Sequence, residues 1–455
     1  MVTSLLPSTQ RVLLRRLALE QSENRVPSLI AGVLRDGETA WVDSRGLVSG
    51  MPSTTDTQYR IGSITKTFVG VLVMRLRDEG RLDLADKLDD HLPGTSLGNR
   101  SVGEILSQCS GLTAEPAGQW WERTPGGTPE ELLATIDGSA LRPTPRHQFH
   151  YSNVGFGILG ELVARIRGAS WHEVMEREIL RPLEMRRTTL MPVAPHAQGL
   201  AVHPWADVVL DEPAEDAGAM APAGQLWSTF DDMARWARFV LGDTGEVLHP
   251  DTVAEMRVPG SVDDGLEWRS GYGLGLQLLR HNKRCLAGHS GSMPGFLASV
   301  WADPAEREAV IFMANTTAGV TGALGTDLLD ALAEHEPRIP EPWRPQTDVD
   351  MGLLELTGEW YWGPSPHVLR VLSNGLLDLR LGHGRRGRAS RFRPNGDGTW
   401  TGLDGYYAGE ILRIGRDTDG TPNHLNLNTF IFTRTPYAPD APVPGGVSGW
   451  RPARD

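Results

Sequence analysis

Apolar residues recur at helical spacing in some stretches and alternate in others, and these two periods divide the chain. Leu13, Leu14, Leu17 and Leu19 predict an amphipathic N-terminal helix. Ser28 to Leu34 and Glu38 to Val42 flank Arg35-Asp36-Gly37, a composition that predicts a β-hairpin. Phe68, Val71, Leu72, Met74 and Leu76 predict a helix that ends near Glu79-Gly80. Val102 to Leu106 predicts a short helix, and Glu130 to Ile136 another. The second lies inside residues 114–148, an insert rich in Gly, Pro and Trp of the kind that shapes a cleft. Phe156 to Ile166 reads as a helix, Trp171 to Met185 as a helix and loop, and 190–225 as loop-rich. Met233, Trp236, Ala237, Val240 and Leu241 lie on a further helix, with Ser228 or Thr229 as its N-cap.

From Tyr272 the period becomes two. Tyr272 to Leu276, Cys285 to Ser292, Leu297 to Ala302 and Ala309 to Asn315 predict strands that extend the N-terminal hairpin into one antiparallel sheet. Turns are expected at His281-Asn282 and Asp303-Pro304, and a closing helix from Leu324 to His335. Residues 336–347, EPRIPEPWRPQT, read as a proline-rich linker. Beyond it, short strands alternate with turns at Ser373-Asn374-Gly375, Pro394 to Gly398 and Asp417 to Gly420. The class is therefore α+β with a small all-β domain, a sandwich or barrel, behind it. The expected divisions are a catalytic domain over 1–335, a linker over 336–349 and a β-domain over 350–455.

The chain has 455 residues, 40% hydrophobic and 22% charged, with a formal net charge of −13. Two or three domains with ample core are expected. The acidic balance argues against nucleic acid, and Arg385-Arg386-Gly387-Arg388 reads as a solvated loop. Cys109 and Cys285 are too few for a disulfide scaffold or a zinc cage and read as buried small hydrophobes. No metal or other cofactor is expected. No apolar run is long enough to span a membrane, and the N-terminus lacks the pattern of a secretory signal. A cytoplasmic location is the expectation.

Ser63-Ile64-Thr65-Lys66 adds candidate chemistry at the start of the Phe68–Leu76 helix. Residues three apart share a helical face. An amine that loses its charge through burial can serve as base to a hydroxyl. Gly62 permits the tight turn before the serine. Lysine occurs only at 66, 87 and 283, among 44 Lys and Arg together, and arginine could not act as that base. Two further pieces stand out: Tyr151-Ser152-Asn153 on a loop before a helix, and His289-Ser290-Gly291 on a predicted strand. Singly, Tyr151 also suits a packed aromatic and His289 a structural strand residue. Trp120 and Trp121 suit either pocket walls or packing of the insert.

In that order the pieces resemble the serine β-lactamase and penicillin-binding-protein superfamily, nearest the class C β-lactamase, D-peptidase and esterase branch. The resemblance spans about residues 10–335. It is supported by Tyr59-Arg60-Ile61-Gly62, Ser110-Gly111-Leu112 and Pro222-Ala223-Gly224-Gln225-Leu226-Trp227-Ser228-Thr229. It implies that Ser63 attacks an acyl carbon and becomes an acyl-enzyme. Lys66 and Tyr151 would share the proton, with Tyr151 brought down by a cationic Lys66. Asn153 would position Lys66 and a substrate amide. Backbone N–H groups of Ser63 and Ser292 would form the oxyanion hole. His289 stands where many relatives carry a fixed cation. Gly224, Trp227, Ser290 and Gly291 would line the substrate.

Within the superfamily the chain looks most like standalone penicillin-binding-protein-type thioesterases. These pair such a site with a lipocalin-like C-terminal domain, take a peptide from a carrier-protein thioester and close it head to tail. The resemblance implies a D-configured acyl donor and a peptidyl carrier protein as partner. Cyclisation needs the acyl-enzyme shielded from water, which a second domain roofing the cleft would supply, with Arg434 pointing inward to orient the returning peptide. The alternatives are a D-stereospecific peptidase, amidase or esterase, then a β-lactamase, then a sensor that is acylated without turnover.

Overall fold

The hairpin around Asp36-Gly37 nucleates a sheet buried on both faces. In the computed structural model β1 spans Ser28–Arg35 and β2 spans Glu38–Gly46. Asp36 and Gly37 both hold positive φ, 55° and 81°, as a two-residue hairpin turn requires. The structure describes residues 5–93, 95, 97, 99–136, 140–141, 148–263, 267–345, 347, 350–372, 375–382 and 388–436. Ser373-Asn374, Arg385-Arg386-Gly387 and parts of the linker lie outside the described residues.

Further along are β3 (Tyr59–Arg60), β4 (Leu200–Val202), β5 (Val209–Asp211), β6 (Trp227–Ser228), β7 (Ser261–Val262), β8 (Ser270–Tyr272) and β9 (Gln277–His281). Then come β10 (Arg284–Met293), β11 (Phe296–Asp303) and β12 (Glu308–Ala314). The main sheet is antiparallel in the order β2-β1-β12-β11-β10-β9-β8-β7. Leu29 pairs with Ala314 and Val33 with Val310, so the two chain-distant halves meet at β1 and β12. The expected strand Tyr272–Leu276 is instead a turn. Gly275 holds a φ of 79°, and the pairing resumes only at Gln277. The region read as loop also holds the small hairpin β4–β5.

Alternation along β1 sends its side chains into two cores. Ile30 and Leu34 join the larger core with helices Thr65–Asp78, Asn153–Arg167 and Phe230–Leu241. Leu29, Ala31 and Val33 join a second core under helices Pro7–Glu23 and Leu324–His335. Helix Thr65–Asp78 is buried on every side through Met74, which explains why its apolar residues are not confined to one stripe. Phe68 stacks on Trp236 at 3.8 Å, and the indole Nε1 donates to Thr67 at 2.9 Å. This helix is the fixed axis on which the serine turn is mounted. Among the described residues no helix is long and apolar enough to cross a membrane.

The chain divides into units Met1–Arg338 and Ile339–Asp455, a boundary inside the proline-rich stretch. The C-terminal unit is a closed barrel of β13 (Gly358–Trp362), β14 (Ser365–Val371), β15 (Leu377–Leu381), β16 (Ser390–Pro394), β17 (Trp400–Gly402), β18 (Ile411–Arg416), β19 (Pro422–Leu427) and β20 (Phe430–Thr433). Tyr361 pairs with Thr433 to close it, and Trp360, Leu369, Phe392 and Phe432 fill it. An eight-stranded barrel is consistent with the lipocalin-like domain expected, and closure leaves no exposed sheet edge.

Candidate active site

Ser63 lies in a single 3-10 turn, Gly62–Ile64, that runs directly into helix Thr65–Asp78. Lys66 falls one turn later and its side chain is wholly buried. Its Nζ is hydrogen-bonded to Ser63 Oγ at 2.9 Å and donates to the Ala223 carbonyl at 2.5 Å. Burial pulls the amine down to about 7, against the opposing charges of Glu115 and Glu122. Near neutral pH a large fraction of Lys66 is therefore an uncharged amine, able to accept the serine proton.

Tyr151 reaches the same hydroxyl from the start of helix Asn153–Arg167. Ser152 caps that helix, accepting from Gly155 N–H at 3.0 Å and donating to the Thr113 carbonyl at 2.7 Å. Ser152 N–H also donates to Gln108 at 2.7 Å. The Gln108–Thr113 segment thus fixes the tyrosine. Its phenol interacts with the Ser63 side chain, and its ring centroid lies 5.0 Å from Lys66 Nζ. The expectation of a lowered phenol is overturned. Burial pushes Tyr151 up, and a lysine that is itself discharging supplies little countering cation.

Asn153 does not hold Lys66. Its Nδ2 donates to Glu115 at 2.8 Å, and its buried Oδ1 has no partner among the described residues. The lysine is held by the Ala223 carbonyl instead. Glu115 also accepts from Trp121 Nε1 at 2.7 Å, which ties the insert to this helix. Trp121 is accordingly a wall of the site region, whereas Trp120 is exposed.

His289 lies on β10, buried beside Tyr151 at a centroid distance of 6.1 Å. Its Nδ1–H donates to the Ser290 carbonyl at 2.5 Å, which leaves Nε2 to accept from Tyr272 O–H at 3.0 Å. Burial and the nearby Lys66 depress the imidazole to about 3, so it is a neutral ring and not a substitute cation.

The same strand presses on the serine turn. Gly62 holds a φ of 53°, and a Cβ there would stand 2.5 Å from Ser292 N. A Cβ on Gly291 would stand 1.9 Å from the Ile61 carbonyl oxygen and 3.2 Å from Ser63 N. Paired glycines bring the backbone nitrogens of Ser63 and Ser292 to adjacent positions, as an oxyanion site needs. Gly224 is buried next to this turn, where a Cβ would lie 3.7 Å from the Gly62 carbonyl carbon. Ser290 is exposed, with its N–H and hydroxyl on Gln277 at 3.2 and 3.3 Å.

Two expected substrate contacts are placed elsewhere. Trp227 is 2% exposed and stacks edge-on with Phe296 at 5.0 Å, a core residue beneath the turn. Arg434 is engaged inside the C-terminal unit. Its guanidinium lies 3.8 Å over the Trp360 ring and donates to the carbonyls of Thr357, Glu359 and Glu355. Sequence reasoning missed Glu115, Tyr272, Gln108 and the Ala223 carbonyl. Ser110-Gly111-Leu112 marked the neighbourhood of the first, but nothing in the string separates Tyr272 from a core aromatic. Among the described residues no group of three or more His, Cys, Asp or Glu side chains is placed to hold a metal ion.

Residues 14–334 match the family model "Beta-lactamase", and residues 349–434 match a domain of unknown function (DUF7586). Penicillin-binding protein 4 of Amycolatopsis lactamdurans is 28% identical over 74% of this chain and 94% of its own length. Beta-lactamase-like protein 2 of Dictyostelium discoideum is 30% identical over 53% of this chain, a match that spans 48% of that relative. Among solved structures, the octameric penicillin-binding protein homologue from Pyrococcus abyssi superposes with a TM-score of 0.65 at 20% identity, covering 93% of this chain and 99% of that one. SurE with D-Leu gives 0.60 at 23%, covering 94% and 100%. D-amino acid amidase from Ochrobactrum anthropi SV3 complexed with D-phenylalanine gives 0.61 at 22%, covering 72% and 99%. The structural likenesses speak to the fold.

Proposed function

The chain belongs to the Beta-lactamase family, and from that premise we propose that it is a serine acyltransferase that takes a D-configured acyl group onto Ser63. The observation that carries this reading is the buried Lys66 amine, 2.9 Å from the Ser63 hydroxyl and discharged near pH 7. Ser63 Oγ bonds to the acyl carbon as its proton passes to Lys66 Nζ. The oxyanion is held by the N–H groups of Ser63 and Ser292. The bond to the leaving group then breaks, and the departing atom takes a proton from the Tyr151 phenol, which Lys66 restores. Tyr151 is thus a proton donor and His289 a neutral positioning group that keeps Tyr272 and Tyr151 in register. Asn153 Oδ1 is an acceptor for a substrate N–H.

The acceptor we propose is the amine of the same peptide, so that a carrier-bound peptidyl thioester leaves as a ring. The support is the pairing of this site with an eight-stranded barrel, the two-unit build that the resemblance to penicillin-binding-protein-type thioesterases implies. Hydrolysis of the same acyl-enzyme is the second reading, favoured by the likeness to D-amino acid amidase. Peptidyl thioesters ending in a D- or an L-residue, incubated with the protein and with Ser63→Ala, separate these readings by product mass. Cyclic product from the D-thioester alone is expected. Linear acid alone would move the protein to the D-specific hydrolases. Turnover by Ser63→Ala would remove the acyl-enzyme altogether.

The pH dependence follows from the two shifts. A base must be unprotonated, so kcat/KM is expected to fall as pH drops through about 7, where Lys66 takes up its proton. No loss is expected on the alkaline side below the ordinary phenol range, because Tyr151 is pushed above it. A limb near pH 7 that disappears in His289→Asn would assign it to the imidazole and place the base away from Lys66.

A further inference from the structure

Cys285, expected as a buried hydrophobe, is exposed, and it opens onto a cavity of about 640 Å³. Side chains alternate along β10, so Cys285 is on the face of the sheet opposite Leu286. Helices Pro7–Glu23 and Leu324–His335 cover one face of the sheet over β1, β2, β11 and β12. The same layer meets the end of β9, where His281 is hydrogen-bonded to Asp330 at 2.7 Å. Leu279 and Leu286, paired across β9 and β10, contribute apolar lining to the hollow. Val262 and Leu278 add to its walls, and Trp268 stands 60% exposed among its lining. Trp268 does so from a left-handed backbone conformation, φ 54°, which a bulky residue adopts at a cost.

The polar lining is of one sign. Among the described residues three arginines line the cavity and no Asp or Glu does, on a chain whose net charge is −13. Arg269 is paired with Glu267 at 2.6 Å. Arg257 is different: it is half-buried and donates to the Val240 carbonyl at 2.9 Å, and no carboxylate among the described residues pairs with it. Burial without a counter-charge lowers its affinity for its proton, which is the mark of an uncompensated cation. Arg280 on β9 is exposed and likewise forms no ion pair among the described residues. A hollow of this volume suits a small ligand. Apolar walls beside two uncompensated guanidiniums suit one with a chain and a single anionic end.

We infer that this cavity is a binding site for an anionic amphiphile, a medium-length alkyl chain ending in a carboxylate, separate from the Ser63 site. It lies at the opposite end of β10 from His289 to Ser292, so the two sites share one strand.

Cys285 is a built-in probe, since Cys109 is buried. The rate of Cys285 labelling by a thiol reagent would be followed on the full chain with decanoate, decanol or decyltrimethylammonium, each below its micelle concentration. Decanoate is expected to protect Cys285 at about tenfold lower concentration than decanol, the worth of one charge-assisted contact. The ammonium should protect least. The variants Arg257→Gln and Arg280→Gln should bring decanoate down to decanol's level, with Ser63 acylation kept as the check on folding. Equal protection by decanoate and decanol would overturn the inference, as would no protection by any of them. Labelling that slows with protein concentration alone, with a dimer in sedimentation, would give the face to a second copy and overturn it too.

Discussion

Lys66→Met is expected to lower acylation by about 10³–10⁴-fold and, in the same protein, to raise the melting temperature. The two effects share one cause. The base is useful because burial has discharged it, and burial discharges it because an ammonium is costly there. The linkage has a definite sign. Lys66 binds its proton less tightly in the folded state, at about 7, than in the unfolded chain, near 10.5. Below pH 7 both states carry the proton and the folded state bears the full cost of burying it. As pH rises from 7 to 10.5 the unfolded chain holds more protons, so wild-type stability climbs through that window. Methionine fills a similar volume and has no such slope, so its advantage is largest below pH 7. Against it stands the Ala223 carbonyl, which loses a donor at a cost of about 1–3 kcal/mol. A buried unpaired ion costs several kcal/mol, so the net gain should be about 1–2 kcal/mol, a rise of a few degrees. Thermal melts of both proteins at pH 6 and pH 9 decide the point. A variant that melts no higher than wild type at pH 6 would show that the amine's hydrogen bonds outweigh its desolvation.

Residues that carry chemistry were legible where the chemistry dictates spacing. Ser63 and Lys66 must share a helical face, and the string shows them three apart ahead of an apolar helix. Asp36-Gly37 was legible because a hairpin turn needs positive φ at both positions. What escaped depended on neighbours far along the chain. Glu115 takes the Asn153 amide across 38 positions, so no local pattern announces that Asn153 is turned away from Lys66. The direction of the Tyr151 shift depends on how deeply the phenol is enclosed, which residue type does not encode. Trp227 sat in a stretch that pointed to the site, yet its ring fills the core beneath the serine turn while the backbone at Ala223 makes the contact that matters. Cys285 has the neighbours of a buried strand residue. Its exposure depends on what packs against that face of β10 from elsewhere in the chain, which the local pattern does not encode. Tyr272 to Leu276 alternates like a strand, but two glycines and a positive φ make it the turn before one.

Gly291→Ala is expected to cost about 10²–10³-fold in acylation, the loss seen when an oxyanion donor is displaced. The added methyl has nowhere to go. It would stand 1.9 Å from the Ile61 carbonyl oxygen, which is backbone and cannot rotate aside. Relief requires that β10 and the Gly62–Ile64 turn move apart, and those two segments carry Ser292 and Ser63. The turn cannot yield alone, because Gly62 already holds a φ of 53° and leaves no room for even a Cβ against Ser292. Lys66 stays on its helix and Tyr151 on the loop before the helix that Ser152 caps, so the base and the proton donor persist while the site for the developing negative charge widens. The expected signature is therefore a fall in kcat with little change in KM and no shift in the limb near pH 7, since Lys66 is untouched. Stability should fall as well, by about 1–3 kcal/mol, the usual cost of forcing a methyl into a filled interior. Assays well below the lowered melting point keep the two losses apart. If Gly291→Ala acylates at nearly the wild-type rate once folded, the donors for the oxyanion lie elsewhere and the close seating of β10 on the serine turn is a matter of packing alone.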